Sequence, residues 1–334
     1  ESFLPAMRAG LRYAAGSRAL GRVLLRAGGF FLFASAYWAL LPLIARERLM
    51  VDAAGYGVLL AAIGAGAVAG AIALPRLKLP GHLLVLGGTL VTALVTLVLA
   101  LVQDRWAATG ALAVAGAAWI AVLTTLNVAA QSTLPDWVRA RGLAVYLMVF
   151  FGAMTAGSTV WGLVAQSAGI EVALVIAAIG GSLAGLALAR LVKLPAGTDD
   201  LTPSRHWPDP ASAAPVAGDR GPVLVTITYR IDPADRRAFL DAVRELARIR
   251  RRDGAFGWRV LEDAEDPTRF EEIFFAASWL EHLRHHRRVT RADAGLQAGV
   301  NRFHRGETPP VVRHLVGADP RDEPLPAMGH DHHD

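Results

Sequence analysis

Two amides stand one helical turn apart in an uncharged stretch: Asn127 and Gln131 in LNVAAQSTLPDWVRARG. At i and i+4 they share one helix face, and an amide surrounded by apolar side chains must find protein or water to bond. That face turns either to a substrate cavity or to a neighbouring helix. Tyr37 and Trp38 in SAYWALLP, and Trp119 further on, offer flat apolar surface for stacking on a cyclic molecule. An aromatic belt for Tyr37 and Trp38, and core packing for Trp119, are the competing readings. Asp136 followed by Arg139 and Arg141 could form a charged gate, or a solvated turn in which Pro135 ends the helix and Trp137 sits at a membrane interface. His282, His285 and His286 share a short Arg-rich helix without an acidic partner in a metal motif. A solvated or dimer-facing helix is expected there, with no catalytic residue, cofactor or metal assigned. The closing GHDHHD, with His330, His332 and His333, reads as a disordered tail able at most to bind a transition ion weakly.

The elements that must position these residues follow from composition. Of 334 residues 53% are hydrophobic and only 19% charged, which places the chain with integral membrane proteins. Cysteine is absent, so thiol chemistry and a disulfide scaffold are excluded. Residues 1–195 carry 14 Lys+Arg against 6 Asp+Glu, net +8, while residues 196–334 carry 20 against 23, net −3. The basic excess belongs to loops flanking apolar segments, so it does not indicate nucleic-acid binding. The chain opens on Glu1 rather than Met, which suggests the downstream part of a longer protein.

A bilayer core needs about 20 apolar residues per helix. Six runs meet this, from 23 to 45, 55 to 75, 83 to 102, 106 to 130, 143 to 168 and 172 to 192. An amphipathic, Arg-studded helix precedes them and is expected on the membrane surface. Eleven Lys and Arg fall on one side of these spans and three (Arg46, Arg48, Arg105) on the other, so both ends of the unit are expected in the cytoplasm. Small residues four apart, Gly66 with Gly70 and Gly181 with Gly185, permit close helix contact. No Asp or Glu lies inside the six runs and no Walker A sequence occurs, so a coupling carboxylate is expected elsewhere and ATP hydrolysis is disfavoured.

Residues 196–221, rich in Pro, Ala, Ser and Asp, read as a flexible, partly extended linker. Beyond it VLVTITY alternates as a strand, Asp232 and Pro233 start a helix, AFGWRVLE and RFEEIFFAAS form two strands, SWLE opens another helical stretch, and PVVRHLV closes as a strand. The order β-α-β-β-α-β over 222–318 is ferredoxin-like. Two sets of strand residues are apolar: Val223, Val225 and Ile227, and also Phe256, Trp258 and Val260 with Ile273 and Phe275. One sheet face therefore needs a partner.

LLPLIARERL, GYGVLLAAIGAGAVAGAIALPRL, LNVAAQSTLPDWVRARGLAVY and GSTVWGLVAQSAG together resemble the second half of major facilitator superfamily transporters, in particular the transmembrane secretion effector group that contains the enterobactin exporter. The resemblance covers residues 1–195 and implies transmembrane helices seven to twelve of a twelve-helix fold, with the N-terminal six-helix half outside this chain. Gly70, Pro75 and Arg76 fit the group's cytoplasmic loop motif, whose acidic residue is missing here. ASWLEHLRHHRRVTRAD resembles the antibiotic biosynthesis monooxygenase group of dimeric α/β barrels.

These resemblances imply an all-α membrane domain followed by an α+β ferredoxin-like domain. They imply export of a small amphipathic molecule (a siderophore, drug or secondary metabolite) by secondary active alternating access. The substrate cavity would use Asn127, Gln131, Tyr37, Trp38 and Trp119, and the cytoplasmic gate Asp136, Arg139, Arg141 and Arg76. Expected partners are the substrate, the lipid bilayer of the cell membrane and a second copy joined through a cytoplasmic soluble domain. A bifunctional transporter carrying a cofactor-independent monooxygenase, and a non-transporting membrane scaffold, are the alternatives.

Overall fold

In hydrocarbon every backbone N–H and C=O must be satisfied within its own segment, so long uncharged runs fold as helices. The computed structural model describes residues 3–318 apart from 196, 205, 208, 209, 211, 213 and 214; the expected His/Asp tail lies outside the described residues. A first helix, α1, spans Phe3–Gly16. The next six are α2 (Arg18–Leu43), α3 (Ala53–Leu77), α4 (Gly81–Leu101), α5 (Arg105–Ser132), α6 (Arg139–Ala168) and α7 (Ile170–Leu191). All six are long and apolar enough to cross a membrane. They make up one unit of the fold, Arg18–Leu134 with Arg139–Thr198.

Local chemistry sets their ends. Asp52 and Asp104 cap α3 and α5 by accepting from Gly55 N and Ala107 N, each at 2.8 Å. α2 runs one residue past Pro42, to Leu43, and passes into a π-helical turn, Ile44–Arg48. Glycine permits the tightest crossing: a Cβ on Gly66 would strike the Ala113 carbonyl, and one on Gly116 would strike the Ile63 carbonyl, so α3 and α5 meet backbone to backbone. Gly70 meets Ala117 at the same seam, while Gly181 and Gly185 face Phe33 and Thr89 instead.

The second unit is drawn from the segment ending at Ser17, from Pro135–Val138 and from Asp199 onward. Its strands are β1 (Val223–Arg230), β2 (Phe256–Glu262), β3 (Arg269–Ala276) and β4 (Val311–Val316). They form one antiparallel sheet in the order β2-β3-β1-β4. Helices α8 (Arg236–Asp253), α9 (Trp279–Arg288) and α10 (Arg291–Asn301) complete it. Ser278 caps α9, and Thr290 with Asp293 forms a reciprocal capping box at the start of α10. Val223, Val225, Ile227 and Tyr229 alternate into a core with Phe239, Val243, Leu246, Phe270 and Phe274.

The opposite sheet face carries Leu224, paired with Phe275 on β3 and Leu315 on β4. An irregularity between Phe256 and Arg259 splits the apolar set expected on β2. Phe256 stacks on Phe275 at 5.6 Å on the open face, whereas Trp258 and Val260 pack against the core.

Two expectations gain detail here. The amphipathic α1 packs one face on α8: Tyr13 is fully buried and Arg252 lies 5.2 Å above its ring. In the segment expected to be a flexible linker, Asp200, Thr202 and Trp207 are held against the helices rather than free. Arg291 N and Ala292 N donate to Thr202 O and Asp200 O, and Trp207 lies under the Arg250 guanidinium at 4.6 Å.

Candidate functional site

Aromatic residues spaced along α2, α5 and α6 converge inside the helical unit. Trp38 and Trp119 meet at 5.5 Å, Tyr37 lies 5.6 Å from Trp38, and Phe31 bridges Trp119 (5.4 Å) to Phe150 (4.4 Å). Tyr37 is fully buried, which removes it from any interfacial belt. The Tyr37 hydroxyl and the Trp38 indole N–H are buried without a well-formed hydrogen bond. Tyr37, Trp38 and Trp119 are therefore brought together, with polar atoms left to pair.

Asn127 and Gln131 are brought to each other: Gln131 Nε2 donates to Asn127 Oδ1. Asn127 is half-buried and Gln131 exposed. Asn127 stands about 12 Å along α5 from Trp119 and is turned about 80° from it, so the amides and the aromatic cluster are separate features of one helix. Among the residues expected at a gate, Arg76 folds back on its own helix to donate to Ile72 O at 2.9 Å. Asp136 and Arg139 are exposed and Arg141 half-buried. Trp137, expected at a membrane interface, has protein partners. Its ring meets Tyr13 edge-on at 5.7 Å and lies 4.5 Å beneath the Arg288 guanidinium.

Sequence reasoning missed a polar stripe on α4. Thr89, Thr92 and Thr96, at i, i+3 and i+7, are buried and line a crevice with Phe30, Phe33 and Gly181. Thr89 and Thr96 bond back to Val85 O and Thr92 O, while Thr92 Oγ1 has no partner. A second crevice joins Thr89 to Arg26 of α2. Arg26, which the charge pattern counted as a loop residue, is 3% exposed, and its Nε has no acceptor. The signal for the threonines was their helical period; for Arg26 it was a cation inside the apolar run 23–45, about 12 Å into α2.

The sheet unit holds a closed polar network. The fully buried Glu272 carboxylate accepts from Trp258 Nε1 (3.0 Å), Tyr229 Oη (3.1 Å) and Arg250 Nε (3.3 Å), and Arg250 donates onward to Gln297 at 2.8 Å. Burial pushes the Tyr229 phenol well above its ordinary range, with Glu272 adding to the shift. Burial likewise pushes the Tyr13 phenol up to about 12. His282 and His285 lie in the interior, 2% and 3% exposed, contrary to a solvated helix. Amphipathic spacing hid this, because flanking arginines made the whole helix look polar.

A family model for transmembrane secretion effectors matches residues 1–322. No curated protein and no solved structure matches the chain. The matched span takes in the six apolar helices and the four-stranded sheet alike. Six membrane-length helices, read with a match over nearly the whole chain, place this protein in the transmembrane secretion effector family.

Proposed function

We propose that the chain exports a small amphipathic molecule across the cell membrane by secondary active alternating access. The observation that carries this reading is the convergence of Tyr37, Trp38 and Trp119 inside a family member's membrane helices. Arg26 and the threonine stripe add one cation and several hydroxyls beside it, a lining suited to a ring-bearing molecule with an anionic or hydroxylated edge. Asn127 and Gln131 contribute hydrogen bonds by exchanging their mutual bond for one to substrate. Asp136, Arg139, Arg141 and Arg76 act at the cytoplasmic gate.

The sheet unit lies on the cytoplasmic side, as the eleven-to-three bias of Lys and Arg supports. It is a ferredoxin-like domain that pairs with a second copy through the face bearing Leu224, Phe275 and Leu315. Its role is association rather than oxygenation, since Glu272 and Arg250 are already committed to partners of their own.

Flux measured against protein abundance tests the cavity. Asn127→Ala and Gln131→Ala lower export or change substrate preference while abundance holds; equal loss of flux and folded protein in both variants assigns the amides to helix packing. In this cysteine-free chain, Asp104→Cys reacts with an impermeant thiol reagent in intact cells and Ser212→Cys does not; the reverse pattern inverts the topology.

A further inference from the structure

Three imidazoles from two separate elements converge in the sheet unit. His282, His286 and His314 each offer a ring nitrogen, and the three nitrogens lie within 4.8 Å of one another. His282 and His286 are one turn apart on α9, with ring centroids 4.7 Å apart. His314 comes from the edge strand β4, its ring 4.7 Å from His282 and 6.4 Å from His286. Pairing with Val225, a core residue, turns His314 to the helix-covered face, because directly opposed strand residues share a face.

His282 is 2% exposed, yet neither of its ring nitrogens has a hydrogen-bond partner, and His314 Nε2 is buried in the same state. A histidine kept only for packing would leave these groups unsatisfied at a cost in stability. A shared cation satisfies them together.

We propose that His282, His286 and His314 bind a divalent late first-row transition-metal ion, Zn²⁺ or a chemical equivalent, leaving a fourth position open to water. Imidazole nitrogens select such ions over Mg²⁺ and Ca²⁺, which prefer oxygen. Tetrahedral coordination at about 2.0–2.1 Å needs nitrogens about 3.3 Å apart, so the cluster closes by about 1.5 Å, within reach of ring rotation. The positive charge of Arg250 is matched by Glu272 at 3.3 Å, so it does not stand alone against a dication. The helix that carries two of the ligands also carries Arg288 over Trp137, in the connection between α5 and α6.

The test uses the full chain with His330→Ala, His332→Ala and His333→Ala, so that the terminal histidines cannot bind. Titration with Co²⁺ should give one equivalent with the intense visible bands of tetrahedral coordination, displaced by Zn²⁺. Zinc-edge X-ray absorption of the same protein should show three imidazole nitrogens at about 2.0–2.1 Å. His282→Gln and His314→Gln should each weaken binding about tenfold or more. No saturable uptake by the folded protein, fewer than three imidazoles at the zinc edge, or unchanged uptake by folded His314→Gln would overturn the site. The zinc-edge measurement keeps all three ligands intact, so it decides the matter even where a variant does not fold.

Discussion

Arg288, the last residue of α9, holds its guanidinium 4.5 Å above the indole of Trp137, in the four-residue segment that clusters with the sheet unit. Tyr13 of α1 meets the same ring edge-on. The connection between two membrane-length helices is thus held by aromatic and cationic groups from two other parts of the sequence. A partly desolvated cation–π contact contributes about 0.5–2 kcal/mol. Trp137→Leu should therefore raise hydrogen exchange at the Val138 amide, which bonds Pro135 O, by about 2- to 30-fold. Unchanged protection at Val138 would show that the ring contact holds nothing.

Glu272 supports a second prediction. Its carboxylate is the common acceptor for Arg250, Tyr229 and Trp258 in the core of the sheet unit. Glu272→Leu strands a buried guanidinium and should destabilise the unit by about 3–5 kcal/mol. Adding Arg250→Met should recover a substantial part of that loss, because an apolar pair of similar volume replaces an ion pair at little net cost. Thermal melting followed on the sheet signal of the full chain reads both. A double variant no more stable than Glu272→Leu alone would mean that the network acts through packing rather than charge.

The open sheet face gives a third. Leu224, Phe275 and Leu315 lie in register across three strands, with Phe256 stacked beside them. If two copies meet there, Leu315→Cys in this cysteine-free chain should form an intermolecular disulfide under mild oxidation, and Arg237→Cys on the helix side should not. Equal cross-linking at both positions would indicate collision rather than a defined pair.

How far the sequence carried these conclusions depended on the kind of signal. The six membrane helices were legible because a bilayer demands about 20 apolar residues in one run, and nothing but the run itself has to be seen. The strand alternation of Val223, Val225 and Ile227 was legible for the same local reason. The protein partners of Tyr13 and Trp137 were not legible, because an amphipathic helix and an interfacial tryptophan look alike in sequence whether they cover lipid or protein. Trp258 and Val260 were assigned to the wrong face because a single bulge after Phe256 reverses the side chains beyond it. His314 stands 28 positions after His286, and only the pairing of β4 with β1 turns it toward α9. The edge-to-face contact of Trp38 with Trp119 likewise depends on which helices are neighbours, which periodicity does not specify.

Export of an amphipathic molecule through the membrane helices is the central claim, and efflux from intact cells tests it most directly. Cells expressing the protein and preloaded with a fluorescent, ring-bearing amphipathic dye should lose it faster than cells without the protein. Trp119→Ala, at equal abundance, should return the rate most of the way to background. Efflux at the background rate across a chemically varied panel of such dyes, with the protein folded and in the membrane, would contradict the account.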